Sequence, residues 1–177
     1  TANLGSVVMF GGDHYLMANL LADRNGMLVH ANGLTWNQKG VVLIGRSGAG
    51  KSTLSGMLTE SGFDLVADDR IILIQKKDRL ILAGSWCHGS VARVTNTRVR
   101  VCDIYFLVQS PENRIIAENS IPIKLKLVAD CLVRPFAGKL QWEKVLKLLE
   151  SLMNEKIFYT LYFDLSKKIC PMIKERL

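Results

Sequence analysis

The sequence predicts an α/β fold, a mixed β-sheet carrying helices and organised around a phosphate loop (P-loop). Three observations predict it. Short apolar runs rich in β-formers recur along the chain, at residues 41–45, 63–67 and 99–109. Stretches with helical spacing lie between and after them, the clearest from Trp142 to Met153. The two kinds meet in VVLIGRSGAGKSTL, residues 41–54, where an apolar strand runs into a glycine-bracketed loop and then into a helical pattern.

Taken in order, residues 16–22 place apolar side chains on one side of a short helix, with Asp13 as its N-cap. Residues 27–30 and 41–45 read as strands, joined by a polar turn around residues 37–40. Residues 51–61 form a helix that Gly62 stops. Residues 63–67 make a strand running into Asp68 and Asp69, and residues 71–75 and 80–83 a hairpin across the polar turn 76–79. Residues 99–109 are the most strand-like run. Residues 120–133 form a helix with Pro122 at its start and leucines at 125, 127 and 132. Trp142, Val145, Leu146, Leu149, Leu152 and Met153 make an amphipathic stripe, opposite Glu143, Lys144, Lys147 and Glu150. Residues 157–165 supply a closing strand, followed by a short basic tail.

With 177 residues and no repeat or low-complexity linker, residues 1–177 are expected to form a single domain. The first residue is Thr1, which fits the carboxy-terminal part of a longer protein. Hydrophobic residues make up 49% and no apolar run approaches the ~20 residues that span a bilayer, so no membrane association is expected. The net charge of +7 is spread over the chain, with groupings at Lys76–Lys77, Arg93/Arg98/Arg100 and Lys167–Lys168. None is interleaved with aromatics, which argues against nucleic acid and for solvated faces plus a phosphate site. The cysteines, at 87, 102, 131 and 170, contain no CxxC pair. Cys102 and Cys131 lie in apolar stretches and read as buried free thiols, and the expected compartment is cytoplasmic.

Gly45-Arg46-Ser47-Gly48-Ala49-Gly50-Lys51-Ser52 satisfies G-x-x-x-x-G-K-[ST], and Thr53 follows it. Glycines let such a loop turn its amide hydrogens inward at a helix N-terminus, which makes an anion nest. Lys51 would reach the outer phosphates of ATP and the Ser52 hydroxyl would bind Mg2+. Asp68 and Asp69 follow 17 and 18 residues after Lys51, at the end of the next strand. Beside a magnesium-bound nucleotide, one carboxylate can hold the metal, directly or through water, and the other can take a proton from an attacking hydroxyl.

VHANGL, GRSGAGKST and GFDLVADDRIIL together resemble the HPr kinase/phosphorylase catalytic domain, whose fold is related to phosphoenolpyruvate carboxykinase. The resemblance covers roughly residues 27–75. It implies the nucleotide-binding core of that family, a Mg-ATP-dependent phosphotransferase with Asp68 as base, His30 assisting it and Asp69 available to the metal. His30 matches a histidine on the strand before the loop in that family. The chain departs from the family in lacking an Arg-Gly-Leu-Gly-type segment after the acidic pair. Residues 83–89, AGSWCHG, and residues 132–136, LVRPF, instead resemble segments of shorter HPr kinase-like proteins. That implies a paralogue, to which neither HPr as substrate nor phosphorylase activity carries over. His88, beside Trp86, is a candidate to close over nucleotide or acceptor, and Arg93 and Arg134 are candidates to contact phosphate.

The function expected is transfer of the γ-phosphoryl group of ATP to a hydroxyl of a protein serine or a small metabolite. The competing reading is an ATP-binding regulatory or assembly module with little turnover. An ordinary nucleoside kinase fits less well, because the acidic strand comes soon after the loop and no arginine-rich lid is evident. The family tendency, and an exposed sheet edge, imply a homo-oligomer.

Overall fold

The computed structural model describes residues 12–85, 97–135, 138–155 and 157–177. These form, in chain order, α1 (Asp13–Ala22), β1 (Gly26–Val29), β2 (Ala31–Trp36), β3 (Lys39–Ile44), α2 (Lys51–Glu60), β4 (Asp64–Ala67), β5 (Ile71–Lys76) and β6 (Arg79–Gly84). There follow β7 (Arg98–Gln109), β8 (Arg114–Ala117), α3 (Ile121–Cys131), α4 (Lys139–Met153), β9 (Phe158–Phe163) and α5 (Ile169–Arg176). The fold is α/β, built on one mixed sheet. Its main path runs β1-β5-β6-β7-β3-β2-β4. The sheet branches at β7. One edge of β7 pairs with β3 in parallel, while the other pairs first with β6, antiparallel, and then with β9, parallel. β8 lies antiparallel to β9.

Period-two alternation sorts the strand side chains onto two cores. Val42, Ile44, Ile104, Phe106 and Phe158 point to one face, where they meet Val128 and Cys131 of α3 and the buried stripe of α4. Val41, Leu43, Tyr105, Leu107, Leu161 and Phe163 point to the other, against Leu54, Met57 and Leu58 of α2 and Ile169, Cys170 and Ile173 of α5. Helices on both faces explain why β3 is a continuous apolar run rather than an alternating one. Among the described residues no helix is long and apolar enough to cross a membrane.

Several expectations need correction. Asp13 is the first residue of α1 and not its cap; its carboxylate accepts from the neighbouring His14 amide, and Gly12 stands at the N-cap position. Leu16 and Leu20, expected to face inward, are exposed, and α1 buries Ala18, Leu21 and Ala22. Residues 31–36, unassigned in the sequence reading, form β2, the true hairpin partner of β3. The turn between them, Asn37–Gln38, takes φ of 49° and 64°, the left-handed pair that suits the twist of a two-residue hairpin. The amphipathic stripe of α4 contains Leu148, which is buried, whereas Leu146 is 54% exposed. The apolar side chain that α3 buries most fully is Val128, while Leu125 is exposed. The same helix buries Lys124, whose ammonium donates to the Met153 carbonyl at the end of α4. Cys131 and Cys170 are buried free thiols, but Cys102 is only half-buried.

The basic tail is α5. Pro171 sits in its first turn, where no intrahelical hydrogen bond is lost. Arg176 closes the helix onto the sheet: its Nε lies 3.2 Å from Asp103 Oδ2 and its guanidinium 3.9 Å from the Tyr159 ring centre. Tyr105 donates to the same Asp103 oxygen at 2.6 Å, and burial together with that carboxylate pushes the phenol upward in pKa.

The contact between β3 and β7 depends on Gly40. A Cβ there would stand 2.8 Å from the Arg100 carbonyl oxygen and 2.9 Å from Val99 Cγ2, beside the register shift between these strands. The backbone oxygen cannot rotate away. Gly40→Ala is therefore expected to destabilise the fold by ~1–3 kcal/mol, read as a lower midpoint in urea denaturation.

Candidate functional site

Strands β3, β7 and β9 are mutually parallel, so their carboxyl ends share one edge of the sheet. Beyond β3 the chain turns through residues 45–50 into α2. Gly48 and Gly50 take φ of 78° and 94°, a conformation that strains any other residue. Gly50 also lies under Phe163, whose Cζ would be 2.7 Å from an added Cβ. Gln109, at the end of β7, donates from Nε2 to the Gly48 carbonyl at 2.9 Å and fixes the tip of the loop. Lys51 is nearly buried, and its ammonium donates to the carbonyls of Gly45, at 2.7 Å, and Arg46, at 3.3 Å.

A cavity of about 420 Å³ opens over this loop. Its floor is Ser47, Gly48, Gly50, Lys51, Ser52 and Thr53. Its wall is His30, Asn32, Asp68 and Asp69, with Gln109 at the rim. Gly45 and Ala49 are parts of the loop that do not line it. The Ala49 amide donates to Arg46 O at 3.1 Å, closing the turn. Arg46 points away: its side chain is 74% exposed and its guanidinium lies 3.5 Å from Asp130 of α3.

Asp68 and Asp69, adjacent in sequence, have different surroundings. The Asp68 residue is 3% exposed, and among the described residues its carboxylate has no hydrogen-bond or ion-pair partner. Asp69 is held on every side. Its Oδ1 lies 3.0 Å from His30 Nδ1, and its Oδ2 accepts from Arg70. Its amide donates to Asn32 Oδ1 at 3.2 Å, and its carbonyl accepts from the Ala31 amide at 3.1 Å. These bonds hold the residue at φ 83°, a conformation uncommon for a residue with a side chain. The sequence reading set His30 on the strand before the loop and beside Asp68. It lies instead at the corner between β1 and β2, with β3 as the strand that enters the loop, and the carboxylate its ring meets is that of Asp69. Its pKa is lowered by burial first and by Lys51 second, against the opposing pull of Asp69.

His88, Arg93 and Trp86 lie outside the described residues. Arg134 is exposed, follows α3 and does not line the cavity. Sequence reasoning passed over Asn32, Arg70 and Gln109. Asn32 is the keystone of the wall: its Nδ2 donates to Ser55 Oγ of α2 at 2.9 Å, and its Oδ1 takes the Asp69 amide. The available signal was an amide residue inside a short apolar run, two positions after His30. A buried asparagine in a strand needs both ends of its amide satisfied.

Two predictions follow from this wall. Asn32→Ala removes the partners of a buried Ser55 hydroxyl and of the Asp69 amide, which is expected to cost ~2 kcal/mol in chemical denaturation. The His30 ring is expected to titrate below its ordinary 6.5 when followed by NMR. Lys51→Ala should raise that midpoint and Asp69→Asn should lower it. Because the unfolded chain then takes the proton first, this histidine's contribution to stability is complete above pH 6.5. It is lost as the pH falls toward the folded value.

Comparison with known proteins finds similarity to proteins named as kinases. No family model matches the chain. A curated protein named HPr kinase/phosphorylase, from Chlorobium phaeobacteroides (strain BS1), is 34% identical over 76 residues, 39% of this chain. The chain spans about a fifth of that relative's length, 21%. The solved Hpr(Ser) kinase/phosphatase from Coxiella burnetii aligns over 71% of this chain and 96% of its own, at 23% identity and a TM-score of 0.38. Over the 76-residue stretch the sequence resembles HPr kinase/phosphorylase.

Proposed function

We propose that the chain is a Mg-ATP-dependent phosphotransferase that moves the γ-phosphoryl group to a hydroxyl, on a protein serine or a small metabolite. The observation that carries this reading is the Asp68 carboxylate: nearly buried, unpaired among the described residues, and facing the cavity that Lys51 and Ser52 also line. A structural aspartate at 3% exposure would be expected to have partners. An unpaired one beside an anion nest is equipped to accept a proton.

In the proposed reaction the acceptor oxygen attacks the γ-phosphorus as its proton passes to Asp68. The new O–P bond forms while the bond from the γ-phosphorus to the β–γ bridging oxygen breaks, and ADP leaves with that electron pair. Lys51 would exchange its bonds to the Gly45 and Arg46 carbonyls for phosphate oxygens and stabilise the charge that develops on them. The loop amides at the start of α2 would hold the remaining phosphate charge.

The donors present suit magnesium, which takes few protein oxygens and keeps several waters. Ser52 Oγ is exposed to the cavity and would hold the ion directly. Asp69 would hold it through water, since both its oxygens already engage His30 and Arg70. Bound there, magnesium neutralises phosphate charge. His30 is assigned a positioning role. Kept neutral by its lowered pKa, it adds no cation to the wall and orients Asp69, which in turn fixes the backbone that carries Asp68.

The test compares wild type with Asp68→Asn and Lys51→Ala, measuring Mg-ATP binding and phosphoryl transfer, with HPr and with a cell extract as sources of acceptor. Asp68→Asn should bind ATP normally and lose about 10²–10⁴-fold in transfer. Wild type that binds ATP yet transfers to nothing in either source would favour the regulatory module, and absence of binding would overturn the nucleotide site itself.

A further inference from the structure

A second cavity, of about 520 Å³, adjoins the first. It lies where β7 and β9 end, between the segment that begins Ser110-Pro111 and the segment Phe163-Asp164-Leu165. Gly50, Thr53 and Gln109 line both cavities, so the two are continuous around the start of α2. Its volume falls in the range of ~300–1,000 Å³ usual for small-molecule sites. We infer that this cavity receives the base and sugar of the nucleotide whose phosphates lie on the glycine loop. The inference rests on the nucleotide-binding part of the function proposed above.

The character of the walls supports a base. Pro111 and Leu165 offer exposed apolar surface beside the buried Phe163, and a heterocycle laid on it would leave water while its edges stay available for hydrogen bonding. Leu165 is 75% exposed, so its side chain is free to pack on a ligand at this rim. The walls are also preformed. The Ser110 amide donates to the Phe163 carbonyl at 3.0 Å, and the Asp164 amide to Asn113 Oδ1 at 3.3 Å, which ties the two segments together. Gln109 spans from this cavity to the loop tip through its bond to Gly48, so a ligand in one cavity contacts the residue that shapes the other. At the rim the Asp164 carboxylate, held ionised by Ser166 and Asn113 with its pKa down to about 2, is an acceptor for an exocyclic amine.

The placement also separates base from acceptor. His30, Asn32, Asp68 and Asp69 line only the first cavity, so a hydroxyl substrate seated in the second would not face the proposed proton acceptor. The parallel strands give the same answer on general grounds. Ligands of open α/β sheets lie outside the carboxyl ends of the strands, and β3, β7 and β9 all end here.

The test is calorimetric titration of the full chain, with magnesium, by ATP, GTP and inorganic tripolyphosphate. Wild type should bind one or both nucleotides at least tenfold more tightly than tripolyphosphate. Leu165→Asn, which keeps the side chain's size and adds no charge at an exposed position, should weaken nucleotide binding roughly fivefold to tenfold and leave tripolyphosphate unchanged. Lys51→Ala should weaken all three. If Leu165→Asn leaves nucleotide affinity intact while Lys51→Ala lowers it, the base lies elsewhere and the phosphate site stands. If wild type binds tripolyphosphate as tightly as nucleotide, the cavity contributes nothing and the inference fails. If Lys51→Ala changes no affinity, the phosphate site fails and this subsite with it.

Discussion

The parallel pairing of β3 with β7, and of β7 with β9, is the constraint on which the site depends. Parallel strands have to be covered on both faces, and here α3 and α4 pack on one and α2 and α5 on the other. In return, three carboxyl ends arrive together. The glycine loop leaves β3, Gln109 ends β7 and reaches the loop tip at 2.9 Å, and Phe163 ends β9 against Gly50. A shift of one strand by a single residue would exchange its two faces and turn core side chains toward the wrong layer. Loop geometry is therefore held by the core as well as by the loop's own contacts. The same holds for Arg176, at the far end of the chain, which docks α5 by pairing with Asp103 inside β7.

A second constraint acts within the wall. β2 carries Asn32 into the sheet interior, and that one amide joins α2, through Ser55, to the turn after β4, through Asp69. The turn is strained at Asp69, and its backbone and carboxylate bonds hold it there. Strain of this kind persists only where the surroundings over-determine it. The consequence is a division between two identical side chains. Asp69 spends its oxygens on His30 and Arg70, and Asp68 is left nearly buried with its carboxylate unpartnered among the described residues.

Much of this was legible in the sequence because it is local. The loop motif, the helix that follows with its left-handed stop at Gly62, the hairpin of β5 and β6, and the long β7 are each written in a few consecutive residues. What escaped was whatever depends on partners far along the chain. β2 contains Asn32 and Gly33, poor strand formers, and is a strand because β3 and β4 flank it. α5 looked like a basic tail because Lys174, Glu175 and Arg176 gather at its end, and it buries just three side chains, Ile169, Cys170 and Ile173. His30 was correctly drawn to the acidic pair, but which aspartate it meets is decided by a positive φ that no spacing rule supplies. Gln109 had no local mark at all, since its role is set by the parallel register that brings it to Gly48.

Charge in the cavity follows from these placements. Arg46, inside the loop motif, might have seemed a natural phosphate ligand, yet α3 takes it: Asp130 holds its guanidinium, and Lys126 shares the same carboxylate oxygen at 3.0 Å. The same helix end binds the opposite wall, where the His30 amide donates to the Cys131 carbonyl at 2.7 Å. α3 thus fixes both the outward turn of Arg46 and the corner that carries His30, whose lowered pKa keeps it uncharged. Arg70 faces Asp69 and is neutralised by it. Among the described residues that line the cavity, Lys51 is then the one cationic side chain, and its ammonium bonds to the loop carbonyls rather than to a carboxylate. Under the proposed function such a cavity would meet a polyanion with one cationic side chain, the loop amides and whatever metal accompanies the ligand, so that binding would depend on Lys51 far more than a net charge of +7 would suggest.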